Sequence, residues 1–401
     1  MSPGNKNILA VNGGSSSIKF SLYGAPGPGA RDDDASWKKE LSGKIERIGQ
    51  DNTELTYIDE CSQKKSQLPV KASDLSAAGV FLLDWLEKQA GVFPLAAIGH
   101  RVVHGGPRTE ACAVDEALLN ELQQISAYDP DHLPGEIGLM RLIRKRYPDL
   151  LQIACFDTAF HTTLPAVARM LPIPRRYVEA GVRRYGFHGL SYGYILRQLM
   201  QVAGPGTASG SVIIAHLGSG ASLAAIKNGA SIDTTMGFTP AGGVVMGTRP
   251  GDLDPGVLWY LLEKEGFDAG QLDQFINHQC GLLGVSETSS DMQELLARES
   301  SDNRAAEAVA LFCYEVRKAI GAFSAVLGGL DVLVFTGGIG ERSAIIRSRI
   351  CAGLGYLGIE LDQRANAGDA VALSKAGSRT AVYAIPTDEE RMIAQIVNQL
   401  L

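Results

Sequence analysis

The chain reads as an α/β protein built from two duplicated lobes. Its 401 residues exceed the size at which one hydrophobic core usually keeps growing. Apolar runs of strand length alternate with longer stretches whose apolar residues recur at helical spacing, the pattern of an α/β fold. The strand, polar corner, strand pattern of "VNGGSSSIKF" (Val11–Phe20) returns as "VIIAHLGSGASLAAI" (Val212–Ile226), a weak internal repeat. Two such units suggest two related lobes facing each other across a cleft.

The chain begins with strands: "ILAV", "IKFSLY", "ELSGKIERI" and "ELTYID" alternate or run apolar between turn signals. The Pro/Gly/Asp segment "GAPGPGARDDDAS" between them reads as a solvated loop. Residues Leu75–Gln89, Asp115–Ala127 and Gly135–Arg146 carry helical spacing, with Asp115 placed as an N-cap. Strand-like "AAIGHRVVHGG" separates the first two, and "LQIACFDTAFH" is a buried strand entering a polar turn. Further on, "DVLVF" leads into the glycine corner "TGGIGER" (Thr336–Arg342) and a helix over Ala344–Leu354. The long apolar helix Ala305–Leu327 suits either the core of the second lobe or an interface. At the end, "AVYAIP" is a strand and "TDEERMIAQIVNQL" a helix, with Thr387 and Glu390 as a capping box.

A composition of 45% hydrophobic and 20% charged residues with 46 glycines is that of a globular enzyme. The net charge of −7 argues against a broad nucleic-acid surface, though a local group of arginines can hold a small anion. Six scattered cysteines make neither a CxxC pair nor a zinc spacing, which suits a reduced cytoplasm. No run approaches the roughly 18 apolar residues of a membrane span, and no leader pattern precedes "NGGSSS".

Glycine admits close approach of backbone N–H groups to an anion, and serine hydroxyls add short donors, so "NGGSSS" suits phosphate oxygens. An Asn12-Gly13 hairpin turn explains the same residues without a ligand. Alternation puts Ile18, Phe20 and Leu22 on one face and Lys19, Ser21 and Tyr23 on the other. No GxxxxGK[ST] is present, and "TGGIGE" lacks dinucleotide-fold spacing.

Four segments concentrate Arg and His beside glycine: "GHRVVHGG" (Gly99–Gly106), "CFDTAFH" (Cys155–His161), "RRYGFHG" (Arg183–Gly189) and "MGTRPGDLDPG" (Met246–Gly256). Charges embedded in apolar sequence need partners, and an ion pair such as Arg101 with Asp157 is the structural explanation. With "NGGSSSIKF", "HLGSGASL", "FTGGIGER" and "IPTDEE", these segments stand in the order and spacing of the acetate kinase family, the acetokinases that include propionate and butyrate kinases. The chain resembles that family from about Ile8 to its end.

The resemblance implies the sugar kinase, Hsp70 and actin type of fold (ribonuclease H-like), with an active-site cleft between two lobes that close over ATP. It implies a first lobe of residues 1–150 with 386–401, on the carboxylate and magnesium side, and a second of 151–385 for nucleotide binding and dimerisation. The activity implied is reversible transfer of a phosphoryl group from ATP to a short carboxylate, acetate first and propionate or butyrate next. Asn12 and Glu389 then correspond to the magnesium site, with manganese as a substitute, and Lys19 to an ATP contact. The nucleotide is expected along His216, Leu217, Gly218, Ser219 and Gly220, at Asp291, Met292 and Gln293, and along Gly338, Ile339, Gly340, Glu341 and Arg342. Arg101 corresponds to the carboxylate ligand; Val103, Phe187 and Pro240 to the apolar wall. His132, His188 and Arg249 correspond to active-site and transition-state groups, and Asp157 to the proposed catalytic acid. A cytoplasmic homodimer is implied as well, with neither nucleic acid nor membrane as partner.

The chain departs from the family where "AYDPDHLPGEIG" (Ala127–Gly138) stands in place of an apolar residue followed by His-Asn-Pro. Asp131 takes the place of that apolar residue: turned inward it opposes a bare alkyl group, turned outward it is a loop acid. Ala241-Gly242 reduces bulk near Pro240, and Gln293 replaces a common Arg. Two rival functions remain at this level, a sugar or polyol kinase and an ATP-driven binding protein of the same fold. The first needs a base for a hydroxyl; the second has no use for Arg101, His188 and Arg249 together.

Overall fold

The computed structural model describes residues 7–14, 16–25, 37–89, 91–368 and 370–401. Most of the "GAPGPGARDDDAS" segment and Ser15 lie outside them. The chain divides into two compact units, Met1–Ala159 with Asp388–Leu401, and Phe160–Thr387. The boundary lies beyond the expected residue 150 because the strand that follows it belongs to the first sheet.

That sheet contains β1 (Asn7–Gly13), β2 (Ile18–Gly24), β3 (Lys38–Glu46), β4 (Glu54–Asp59), β5 (Lys64–Pro69), β6 (Leu95–Val102), β7 (Cys112–Ala113) and β8 (Leu151–Phe156). Their order is β5-β4-β3-β2-β1-β6-β8-β7. Strand β5, "KKSQLP", is missing from the sequence reading because it is polar and mostly exposed. The second unit's sheet contains β9 (Ser211–Leu217), β10 (Ala221–Lys227), β11 (Ala230–Thr234), β12 (Val332–Thr336) and β13 (Ala381–Ala384), in the order β11-β10-β9-β12-β13.

The repeat seen in the sequence is a repeat of topology. Strands β3, β2 and β1 pair antiparallel, and β1, β6 and β8 follow in parallel. Strands β11, β10 and β9 pair antiparallel, and β9, β12 and β13 follow in parallel. The same order and the same senses recur from different residues.

In the first unit, Leu9, Val11, Ile18, Phe20 and Leu22 pack with Ala78, Leu82 and Leu83 of the helix Leu75–Leu86 and with Leu139 and Ile143 of the helix Leu133–Arg146. Each Leu, Ile, Val or Phe side chain among them, fully buried, contributes about 1.5–3 kcal/mol. The helix Glu389–Leu400 packs on β1, β2 and β6. Tyr23 and Ser21 are therefore buried rather than facing solvent, while Lys19 is exposed as the alternation predicts. Close approach of that helix requires Gly99, where a Cβ would lie 2.3 Å from Ile393 Cγ2. The helix is capped by Asp388, whose side chain accepts from the Arg391 N–H, and not by the expected box of Thr387 and Glu390. Thr387 stays with the second unit, its N–H donating to Glu341 Oε1 at 2.9 Å.

In the second unit the helix Asn303–Leu327 packs on β9 and β10 through Val309, Phe312, Val316 and Ile320. Asp302 caps its start and Gly328, at φ 75°, its end. Tyr314 and Val326 are exposed, so this helix is core along one face only.

Candidate active site

The first unit gathers one set of the expected residues. Asn12 lies in β1 opposite Lys19 of β2 and Gly13 opposite Ile18, with Gly14 N–H donating to Ser17 O at 2.7 Å. The Asn12-Gly13 pair is strand and not the turn itself. Arg101 lies near the end of β6 and Asp157 just past the end of β8, strands that pair in parallel. Arg101 donates from Nε and Nη2 to Asp157 Oδ2 at 3.0 and 2.6 Å, and from Nη1 to Asn12 Oδ1 at 3.3 Å. Asn12 Nδ2 donates to Glu389 Oε2 at 3.3 Å. The ion pair inferred as a structural explanation is thus present, but it is one link in a chain of four functional candidates.

Burial opposes charge on Arg101, yet Asp157, Glu389 and Glu136 outweigh it and hold its pKa above the ordinary value. Burial, with Asp157 and Glu390 nearby, raises Glu389 against the pull of Arg101 and Lys19. Asp157 is fully buried, and its Oδ1 has no hydrogen-bond partner among the described residues. An orphaned carboxylate oxygen beside Asn12 and Glu389 makes an oxygen donor set suited to a hard divalent cation.

Sequence reasoning missed Glu136. Burial pushes its carboxyl up to about 8 despite Arg101, and its two oxygens accept from the Val103 N–H at 3.3 and 3.1 Å. Glu136 is buried on the helix Leu133–Arg146 beside Ile137 and Met140. An acid on the apolar face of a helix was the available signal. The acid whose direction was open, Asp131, is half-buried; the deeply buried one is Asp129, 4% exposed. Asp129 Oδ1 lies 2.8 Å from His132 Nδ1. Val103 is buried.

The second unit gathers the other set. His188 is the left-handed residue (φ 59°) before the helix Gly189–Ala203. Its Nδ1 lies 2.8 Å from Ser222 Oγ of β10, and its ring stacks on His216 of β9 with centroids 4.2 Å apart. His216 Nδ1 lies 2.8 Å from Ser191 Oγ. Arg249 Nη1 donates to the Pro240 carbonyl at 2.7 Å. A Cβ on Gly220 would lie 2.8 Å from Arg249 Nη2 and 3.3 Å from His188 Nε2. Gly220 therefore admits both the Arg249 guanidinium and the His188 ring to the tip of the β9–β10 hairpin. The Arg249 loop is held by Met246 N–H donating to Arg249 O and by Cys280 N–H donating to Thr248 O, each at 3.0 Å.

The third glycine corner is itself helical over Gly337–Arg342, immediately after β12, with Gly337 at φ 75°. Glu341 Oε1 accepts from the Gly337 N–H, and Arg347 holds the Gly340 and Glu341 carbonyls at 2.9 and 2.7 Å. Asp291 caps the helix Met292–Arg298 by accepting from the N–H groups of Gln293 and Glu294, and the Gln293 side chain is exposed. Phe187 is buried and its carbonyl accepts from His161 Nε2 at 3.0 Å; Pro240 is half-buried.

The acetokinase family model matches residues 7–395. The chain belongs to the acetokinase family. An acetate kinase of Nitrobacter hamburgensis is 44% identical over 98% of this chain and 96% of its own length. A propionate kinase of Citrobacter rodentium is 40% identical over 98% and 96%. The crystal structure of Porphyromonas gingivalis acetate kinase, 34% identical, superposes with a TM-score of 0.86 and covers 99% of this chain and all (100%) of that one. As an acetokinase, the chain has the actin-like ATPase fold, and its two sheets are the two halves of that duplication.

Proposed function

We propose that this acetokinase catalyses reversible phosphoryl transfer from ATP to acetate, giving acetyl phosphate and ADP. The observation that carries this reading is the near-full-length match to acetate kinases at 44% identity. The propionate kinase relative stands at 40%, and acetate is accordingly the acceptor assigned.

The chemistry follows from the side chains. A carboxylate oxygen attacks the γ-phosphorus, the bond to the β,γ-bridging oxygen breaks, and no proton is taken up or released at the acceptor. An ionised carboxylate needs no general base at neutral pH. A planar guanidinium fork matches a carboxylate, which is the role of Arg101, and Val103, Phe187 and Pro240 are the apolar residues assigned to the acceptor's methyl group. Arg249 and His188 stabilise the equatorial oxygens of the transferring group, and His132 supports them. Lys19, His216–Gly220, Asp291–Gln293 and Gly338–Arg342 hold the nucleotide. Asn12 and Glu389 hold a magnesium ion, or manganese in its place, with Asp157 orienting Arg101 beside them. The metal neutralises phosphate charge when bound.

The test is turnover of formate, acetate, propionate and butyrate with ATP and magnesium, the acyl phosphate being trapped as its hydroxamate. Acetate should give the highest kcat/KM; no acyl hydroxamate from any acid overturns the reading. Phosphorylation of a sugar or polyol instead would favour the rival kinase.

The same reading places the protein in the cytoplasm. Among the described residues no helix is long and apolar enough to cross a membrane, and all six cysteines are free thiols. It also makes the protein a homodimer through the second unit, supported by exposed Trp259, Tyr260 and Val257 on the helix Pro255–Lys264. Sedimentation at two concentrations checks the mass.

A further inference from the structure

We propose that Asp129 is a positioning residue for His132, the two forming a carboxylate–imidazole dyad that orients the ring for phosphoryl transfer. The proposal rests on the acetate kinase reading and adds a residue to it. Asp129 Oδ1 lies 2.8 Å from His132 Nδ1, and the Asp129 side chain is 4% exposed against 25% for His132. A buried carboxylate only accepts hydrogen bonds, so the ring proton sits on Nδ1 and Nε2 is the free edge. Asp129 Oδ2 has no hydrogen-bond partner among the described residues.

Backbone bonds hold this geometry: the His132 and Leu133 N–H groups both donate to the Asp129 carbonyl, and Glu136 N–H donates to the His132 carbonyl. The dyad is thus built into the start of the helix Leu133–Arg146. Other titratable groups surround it. Asp131 is on the same loop and Glu136 one turn along the helix. Glu136 in turn feels Asp129, Arg101 from β6 and Asp157 beyond β8. Asp129 contacts the imidazole directly, at 2.8 Å. Its direction turns Nδ1 toward the carboxylate and leaves Nε2 as the ring edge that faces away from it.

The experiment combines 15N NMR of the imidazole with kinetics of Asp129→Ala, Asp129→Asn, His132→Ala and the double variant Asp129→Ala/His132→Ala. The wild-type resonances should report a proton on Nδ1, and Asp129→Ala should release that preference. Asp129→Ala should lower kcat about 100-fold while KM for acetate holds. Asp129→Asn, whose amide oxygen still accepts the Nδ1 proton, should recover part of the loss. In the His132→Ala background the Asp129 substitution should cost nothing more. A wild-type ring protonated on Nε2 alone, an unchanged kcat in Asp129→Ala, or an equal loss with and without His132 overturns the proposal. The NMR signature is read without turnover, so failure of the wild-type enzyme to make acetyl phosphate would count against the acetokinase substrate reading and leave the dyad separately decided.

Discussion

Gly220 carries a steric constraint that its backbone alone does not require. An added methyl group would meet the mobile end of Arg249 and the His188 ring, so the penalty falls on the position of those groups and not on the fold. Gly220→Ala should lower kcat by about tenfold or more, the cost of displacing a charge-stabilising group, while the melting temperature stays close to wild type. Parallel thermal melts and kinetics check this; a large stability loss with normal kcat would contradict it. Arg101 shows the complementary case, where Asp157 and Asn12 together fix the guanidinium. The sequence named all three residues, but only strand pairing between β6 and β8 brings Arg101 to Asp157.

At the scale of elements, the last helix shows where local reasoning fails. "TDEE" supports a capping box at Thr387, yet the cap is Asp388 because Asp388 has more to satisfy. Its two oxygens take the Arg391 N–H, the Tyr23 hydroxyl at 2.9 Å and the Lys39 ammonium at 2.8 Å. Burial and the neighbouring acids Asp388 and Glu390 raise the Tyr23 pKa, so its hydroxyl stays protonated and donates. Asp388→Ala should destabilise the first unit by about 1–2 kcal/mol from the lost cap, and by about 1–3 kcal/mol more where the buried Tyr23 hydroxyl loses its acceptor. Urea unfolding of the variant beside Asp388→Asn, which can still accept, measures both. Equal stability of Asp388→Ala and wild type would refute the assignment. Strand β5 escaped notice for the opposite reason: a polar edge strand has no apolar pattern to read, and β4 determines it by pairing.

For the whole molecule, two buried histidines make stability depend on pH. Burial lowers His100 and His161 to about 4, with Gln152 and the Phe187 carbonyl as their respective partners. An unfolded histidine titrates near 6.5, so between about 6.5 and 4 the unfolded chain binds more protons and stability falls as pH falls. Each histidine contributes a loss of about 3 kcal/mol across that window, and the loss levels off below it. Glu136 works in the other direction, since a carboxyl held at about 8 when folded favours the folded state as pH drops toward 4.5. The quantity to measure is therefore the difference between wild type and His100→Gln or His161→Gln. Each variant should show a shallower fall in unfolding midpoint from pH 7 to pH 4.5. An identical slope in both would show that these imidazoles do not titrate on unfolding.

By itself the sequence determined the α/β class, the duplication and the identity of most candidate groups. Glycine corners, caps and strand alternation are imposed by backbone sterics over a few residues, so they are written locally. The tertiary structure decided which charges are buried and what they touch. Asp129 stands in a short polar stretch that looks like loop and Glu136 in a helical pattern that does not show its depth, and only packing of the helix Leu133–Arg146 in the first unit takes them from water. It also decided that Asn12 is strand and not turn, and that Tyr23 faces a helix from the far end of the chain. Desolvation depends on every neighbour at once, and those neighbours are set by contacts between residues hundreds of positions apart. Local patterns therefore identify the groups, while the fold sets their protonation and direction.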